Sequence, residues 1–138
     1  MAITKDGNEV DVSIVPPKTN KSADMLYLSE LSEGWFGLTD VKKKLGFGLV
    51  WPLEVYPYLW IWQVAGGAFG YPFYGRNYNM ALEPFSSLPG AGLAEAVKNG
   101  TALSLEAGEE VNLPMKAVIY EGITGVKKIT KSGDVIPK

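Results

Sequence analysis

Cysteine and histidine are both missing from the 138 residues of this chain. Without cysteine there is no disulfide framework, no thiolate nucleophile and no cysteine metal site. Without histidine, Ser-His and Cys-His catalysis within one chain and the common histidine zinc sites are excluded. The carboxylates are scattered and resemble no calcium loop, so neither a metal nor any other cofactor is expected. A dominant charge is lacking too. Thirteen Lys and Arg stand against 15 Asp and Glu, a net charge of -2 that argues against nucleic acid or an anionic membrane as partner. No apolar run approaches the roughly 20 residues that span a bilayer, and the opening MAITKDGNEVDV has no apolar stretch of the kind a signal peptide needs. These features predict a cytoplasmic protein, in which the sequons Asn20-Lys21-Ser22 and Asn99-Gly100-Thr101 are coincidences.

What is present reads as strand. The length suits one domain, and apolar residues at 46% with charged residues at 20% are ordinary for a globular protein. In LGFGLVW, Leu45, Phe47, Leu49 and Trp51 share one face. In YLWIWQV, Tyr58, Trp60, Trp62 and Val64 point one way and Leu59 and Ile61 the other, which predicts a strand covered on both faces. A further strand is expected in DMLYLSEL. Two more are expected within TALSLEAGEEVNLPMKAVIYEG, joined by a turn at EAGEE. In the second of these Val111, Leu113, Met115, Ala117 and Ile119 share a face, and Pro114 marks a bulge or an edge. The only helix signal is GLAEAVKNG, stopped by Asn99-Gly100. The pattern predicts an all-β protein, an antiparallel β-sandwich or open curved sheet with one short helix. It divides into an N-terminal arm and connector (1–22, with a possible strand EVDVSIV), a body (23–125) and a polar C-terminal tail (126–138) that frays beyond a last strand. Lys42-Lys43-Lys44 reads as a solvated turn.

The stretch from 57 to 84, PYLWIWQVAGGAFGYPFYGRNYNMALEP, gathers Trp, Tyr and Phe around one arginine and one glutamate. Its glycines lack the strand-then-helix frame and the lysine of a phosphate-binding loop. Two readings stay open. Trp60, Trp62, Tyr58 and Phe73 are core, or some of them floor a sugar site. In the second reading pyranose C–H faces stack on the rings, and Arg76, Asn77 and Asn79 supply directional hydrogen bonds. Glu83 follows an apolar MAL and precedes a proline, so it is expected at a strand end, where a carboxylate must find partners or take a raised pKa. Arg76 is the expected partner, either in a structural ion pair or as the group that tunes Glu83 as a general base.

Residues 25 to 120 or so resemble the C-terminal half of the galactose mutarotase-like (aldose 1-epimerase-related) superfamily, and are most similar to its uncharacterised branch near the mutarotases. The features that carry the resemblance are PYLWIW, the YGR step, LEP followed by a small-residue loop and LPG, and the late L-x-x-G-E turn. The resemblance implies an antiparallel β-sandwich, or half of the family's larger one, with a sugar cleft on the concave face of one sheet. It also implies aldose anomer exchange, in which a glutamate deprotonates the anomeric hydroxyl while a histidine protonates the ring oxygen. Glu83 in LEP resembles that glutamate, and Arg76 and Trp62 resemble cleft residues; Trp60, Asn77, Asn79 and Tyr74 complete the expected sugar-binding set. The chain departs from the family in lacking the acid histidine, so Tyr71, Tyr74 or Tyr78 would have to serve. The matched half alone predicts open strand edges and an uncovered face, hence a homodimer or a partner chain. Three functions follow: a monosaccharide- or sugar-phosphate-binding protein without turnover, an active aldose mutarotase with Glu83 as base, or a non-catalytic interaction module.

Overall fold

The computed structural model describes residues 1–4, 6–88 and 90–138. Its strands, in chain order, are β1 (Ala2–Ile3), β2 (Glu9–Val10), β3 (Ser22–Leu28), β4 (Trp35–Asp40), β5 (Leu45–Val50), β6 (Tyr58–Ala65), β7 (Tyr78–Phe85), β8 (Lys116–Glu121), β9 (Val126–Ile129) and β10 (Val135–Pro137). A single turn of 3-10 helix covers Lys18–Asn20, and among the described residues there is one α-helix, α1 (Leu93–Lys98). The fold is all-β, built of antiparallel sheets. The residues group into two units, 1–28 with 59–83 and 29–58 with 84–138.

The first unit is organised by a three-stranded sheet in the order β3-β6-β7. β6 is central, and Leu59, Trp60, Ile61, Val64 and Ala65 are all buried, on both parities, as its two apolar faces predict. The register of β3 on β6 defines the faces. Tyr27 lies opposite Trp60, Met25 opposite Trp62 and Ala23 opposite Val64 on one side. Leu28–Leu59, Leu26–Ile61, Asp24–Gln63 and Ser22–Ala65 occupy the other. The N-terminal arm, paired as β1-β2, runs over the Leu26–Gln63 side. After β6 the chain passes through Gly66 and Gly67. A Cβ on Gly67 would lie 2.4 Å from the Lys21 carbonyl oxygen, so only glycine permits this approach to the start of β3.

The second unit contains a sheet ordered β4-β5-β8 and the hairpin β9-β10. Alternation in β5 is as expected, and the core lies on the side opposite this apolar row. Gly46, Gly48 and Val50 are the covered residues, while Leu45 and Phe47 are 46% and 43% exposed. Tyr120 of β8 lies over Gly46 and Gly37, and Ile129 of β9 lies over Gly48. Val50, Tyr120 and Ile129 make the core, flanked by Trp35, Val118, Ile123, Val126 and Val135. Each such side chain contributes about 1.5–3 kcal/mol by leaving water. The Tyr120 hydroxyl is matched to Thr39 Oγ1 at 2.8 Å, which removes the penalty of its burial. On the other face Trp51 alone is deeply buried, tilted against Phe36 with its indole N–H donated to the Tyr56 carbonyl.

Three expectations are corrected. Residues 101–105 form no strand, because the amides of Thr101 and Ala102 return to the Ala96 carbonyl at the end of α1 rather than to a neighbouring strand. Of the row Val111 to Ile119 only Ala117 and Ile119 lie in a strand, and Ile119 is 78% exposed, since Val118 and Tyr120 occupy the core side of β8. The C-terminal segment does not fray. It carries β9 and β10 and supplies Ile129, at 1% the most completely enclosed of the large apolar side chains. The lysine turn is as expected: Asp40 accepts the amides of Lys42 and Lys43 and is held below its usual pKa, chiefly by the Lys43 amide.

Candidate functional site

Part of the site expected from the sequence, Trp60, Trp62, Asn79 and Glu83, falls on one face of β3-β6-β7. Alternation along β6 puts Trp60 and Trp62 on the same side as Met25 and Tyr27 of β3. In β7, the Tyr78 hydroxyl donates to the carbonyl of Pro16 in the N-terminal arm, and Pro16 lines a cleft with Leu26 and Gln63. Tyr78, Met80 and Leu82 therefore belong to the arm side, and Asn79, Ala81 and Glu83 share the tryptophan side. The Gly66 amide, bonded to the Asn77 carbonyl, closes the β6–β7 hairpin and is consistent with this phase.

The aromatic residues on this face play different parts. Trp60 is 8% exposed and meets Tyr27 edge-on, with ring centroids 5.2 Å apart and planes at 86°, a contact of about 0.5–1.5 kcal/mol beyond area burial. Trp62, Tyr27 and Met25 are 39%, 38% and 40% exposed. Trp60 thus supports Tyr27, and the stacking surface available from solvent is Trp62 with Tyr27. Asn77 Nδ2 donates to Asn79 Oδ1 at 3.4 Å, which orients the Asn79 amide and leaves its nitrogen as a donor. Glu83 is partly exposed within β7. Met25 and Tyr27 were missed as site residues, although the alternation in DMLYL already placed them on one side of a strand.

Two expectations fail geometrically. Among the described residues no ion pair joins Arg76 to Glu83. Arg76 precedes β7, and the strand from Tyr78 to Glu83 alone separates them by roughly 16 Å at 3.3 Å per residue. Tyr74 lies in the β6–β7 loop, 58% exposed and edge-on to Tyr71 at 6.1 Å, and is not on the sheet face. Tyr78 points to the arm side, away from Glu83. Of the tyrosines weighed as acids, none is shown beside Glu83.

The opposite side of the sheet holds a cleft of about 210 Å³ between the arm and Asp24, Leu26 and Gln63. Asp11 at its rim is kept below its usual pKa by hydrogen bonds from Ser13, the side chain first and then the amide. In the second unit the Asn99 sequon is structurally engaged: its amide donates to the Leu88 carbonyl and its oxygen accepts the Thr101 amide. Pro89, within the LPG feature of the resemblance, lies outside the described residues. Among the described residues, no helix is long and apolar enough to cross a membrane, and no three His, Cys, Asp or Glu converge as a metal site.

No family model matches this chain, and neither a curated protein nor a solved structure does.

Proposed function

We propose that this protein binds a monosaccharide on the exposed side of β3-β6-β7, as a relative of the aldose epimerases that recognises the sugar without turning it over. The observation that supports this reading is the pair of half-exposed rings, Trp62 and Tyr27, on a face that also carries Asn79 and Glu83. A pyranose presents an apolar C–H face to an aromatic ring and hydroxyls at its edge. Asn79 and Glu83 stand two residues either side of Ala81 in β7, so each is roughly 7 Å along the strand from it and the two are about 13 Å apart, flanking a sugar seated between them. Glu83 accepts from hydroxyls, and Asn79 donates or accepts. Turnover needs an acid opposite the base. The chain has no histidine, and Tyr78 faces away.

Saturation-transfer NMR over a panel of aldoses tests the binding, with anomer exchange recorded in the same samples. Transfer that is lost in Trp62→Ala and weakened in Glu83→Gln is the expected result, with anomer exchange no faster than in buffer. Accelerated exchange that disappears in Glu83→Gln would instead make the protein a mutarotase without histidine. Absence of transfer to every aldose would refute the sugar site. The homodimer expected from the sequence is part of the same proposal. Leu38, Leu45, Phe47 and Ile119 leave an apolar side of β4-β5-β8 exposed, which supports self-association. A monodisperse monomer at micromolar concentration, in sizing with light scattering, would overturn it.

A further inference from the structure

Three cationic residues, Lys18, Lys21 and Arg76, are neighbours where β6 leaves the first unit's sheet. Lys18 Nζ donates to the carbonyl of Arg76 at 2.9 Å, which places its ammonium beside the Arg76 backbone. Gly66 sits between the two lysine stems: a Cβ built on it would lie 3.3 Å from Lys18 Cγ and 3.5 Å from Lys21 Cδ. The side chains of Lys18, Lys21 and Arg76 are all exposed, and among the described residues none of them forms an ion pair. In a chain with net charge -2 this is an unneutralised positive cluster. The contrast is with the denser run Lys42–Lys44, where Asp40 lies alongside and bridges to Lys43. Like charges gathered at one point repel, and a dianion placed among them relieves that repulsion and collects charge-assisted hydrogen bonds. An arginine, whose fork matches a phosphate's oxygens, on a backbone that neighbours two lysines suits phosphate in particular.

We propose that Lys18, Lys21 and Arg76 form a binding site for a phosphate monoester. Neither Trp62 nor Glu83 takes part, so the site stands apart from the sugar-binding reading. The test is calorimetric titration with glucose 6-phosphate, inorganic phosphate and glucose. A parallel arm measures sedimentation with phosphatidylcholine vesicles that contain phosphatidic acid. Glucose 6-phosphate should bind, and more weakly as salt rises. Arg76→Gln and Lys21→Gln should each weaken it by about tenfold, the loss of one charge-assisted hydrogen bond. Substituting Lys42, Lys43 and Lys44 together by Gln should leave it unchanged. Binding to vesicles as well, or to vesicles only, supports the site and gives its source as a headgroup. Equal loss in the Lys42–Lys44 variant, or full binding in a Lys18/Lys21/Arg76 triple variant whose circular dichroism is unaltered, overturns the proposal. So does failure of every phosphate probe to bind at millimolar concentration. Trp62→Ala separates the two sites: it should abolish glucose binding and leave inorganic phosphate binding intact.

Discussion

The two three-stranded sheets bury their residues in opposite ways. In β3-β6-β7 the bulk sits on the central strand itself, with Leu59, Trp60, Ile61, Val64 and Ala65 all enclosed. In β4-β5-β8 the central strand offers a glycine floor, and the bulk comes from Tyr120 and Ile129 laid over Gly46 and Gly48. The first sheet is specified by the side chains it contains, the second by those it omits. An apolar alternation therefore identifies a strand without saying which side is the core. Leu45, Phe47 and Leu49 look like a buried row, yet Leu45 and Phe47 are exposed and the glycines between them are the covered positions.

The largest expected effect is on Ile129. Replacement by alanine should cost about 3 kcal/mol in urea unfolding, since the side chain is fully enclosed and its cavity cannot collapse onto a glycine floor. Gly46→Ala should cost about 2 kcal/mol, because the new methyl would stand 2.1 Å from Tyr120 Cε2 and force the ring away from Thr39. A neutral result there would remove the glycine floor from the contrast. At concentrations low enough to keep the chain monomeric, Ile119→Thr should stay within about 0.5 kcal/mol, as an exposed change on the far side of the same strand as Tyr120. A cost that appears only as protein concentration rises would place Ile119 in the proposed dimer face, and a loss as large as that of Ile129 in the monomer would end the contrast between the two sheets. The smallest effect concerns pH. Asp134 accepts from Ser132 and Thr130 in the β9–β10 turn, and these bonds hold its carboxyl below the ordinary 3.8, the Ser132 side chain first. A depressed folded pKa stabilises above the unfolded value and ceases to do so as pH falls through the folded one. The gap in urea midpoint between the native chain and Asp134→Asn should therefore be open at pH 6 and close progressively below 3.8.

Much of the fold could be read directly. β3, β5, β6 and α1 follow from period-two alternation and from the Asn99-Gly100 stop. β4 and β7 are harder to see, because WFGLTD and YNMALEPF carry glycine, asparagine and proline that local propensity assigns to turns. β9 and β10 were hidden by lysines. In KKITKSGDVIPK the one fully buried residue, Ile129, is surrounded by solvated neighbours, and nothing local marks it as core. For the site, the face shared by Trp60 and Trp62 was legible from alternation alone. The Arg76–Glu83 pairing was not excluded by sequence, because seven residues can be close in a loop but not along a strand.

The four tryptophans give the molecule a built-in optical label. Trp35 and Trp51 belong to the second unit and Trp60 and Trp62 to the first. Trp51 and Trp60 are sealed from solvent, whereas Trp62 is open to it. A collisional quencher such as acrylamide should thus silence a red-shifted fraction of the emission first, and that fraction should shrink in Trp62→Phe. A sugar stacked on the indole would shield the same fraction, so occupancy of the proposed site can be followed by light without attaching any dye.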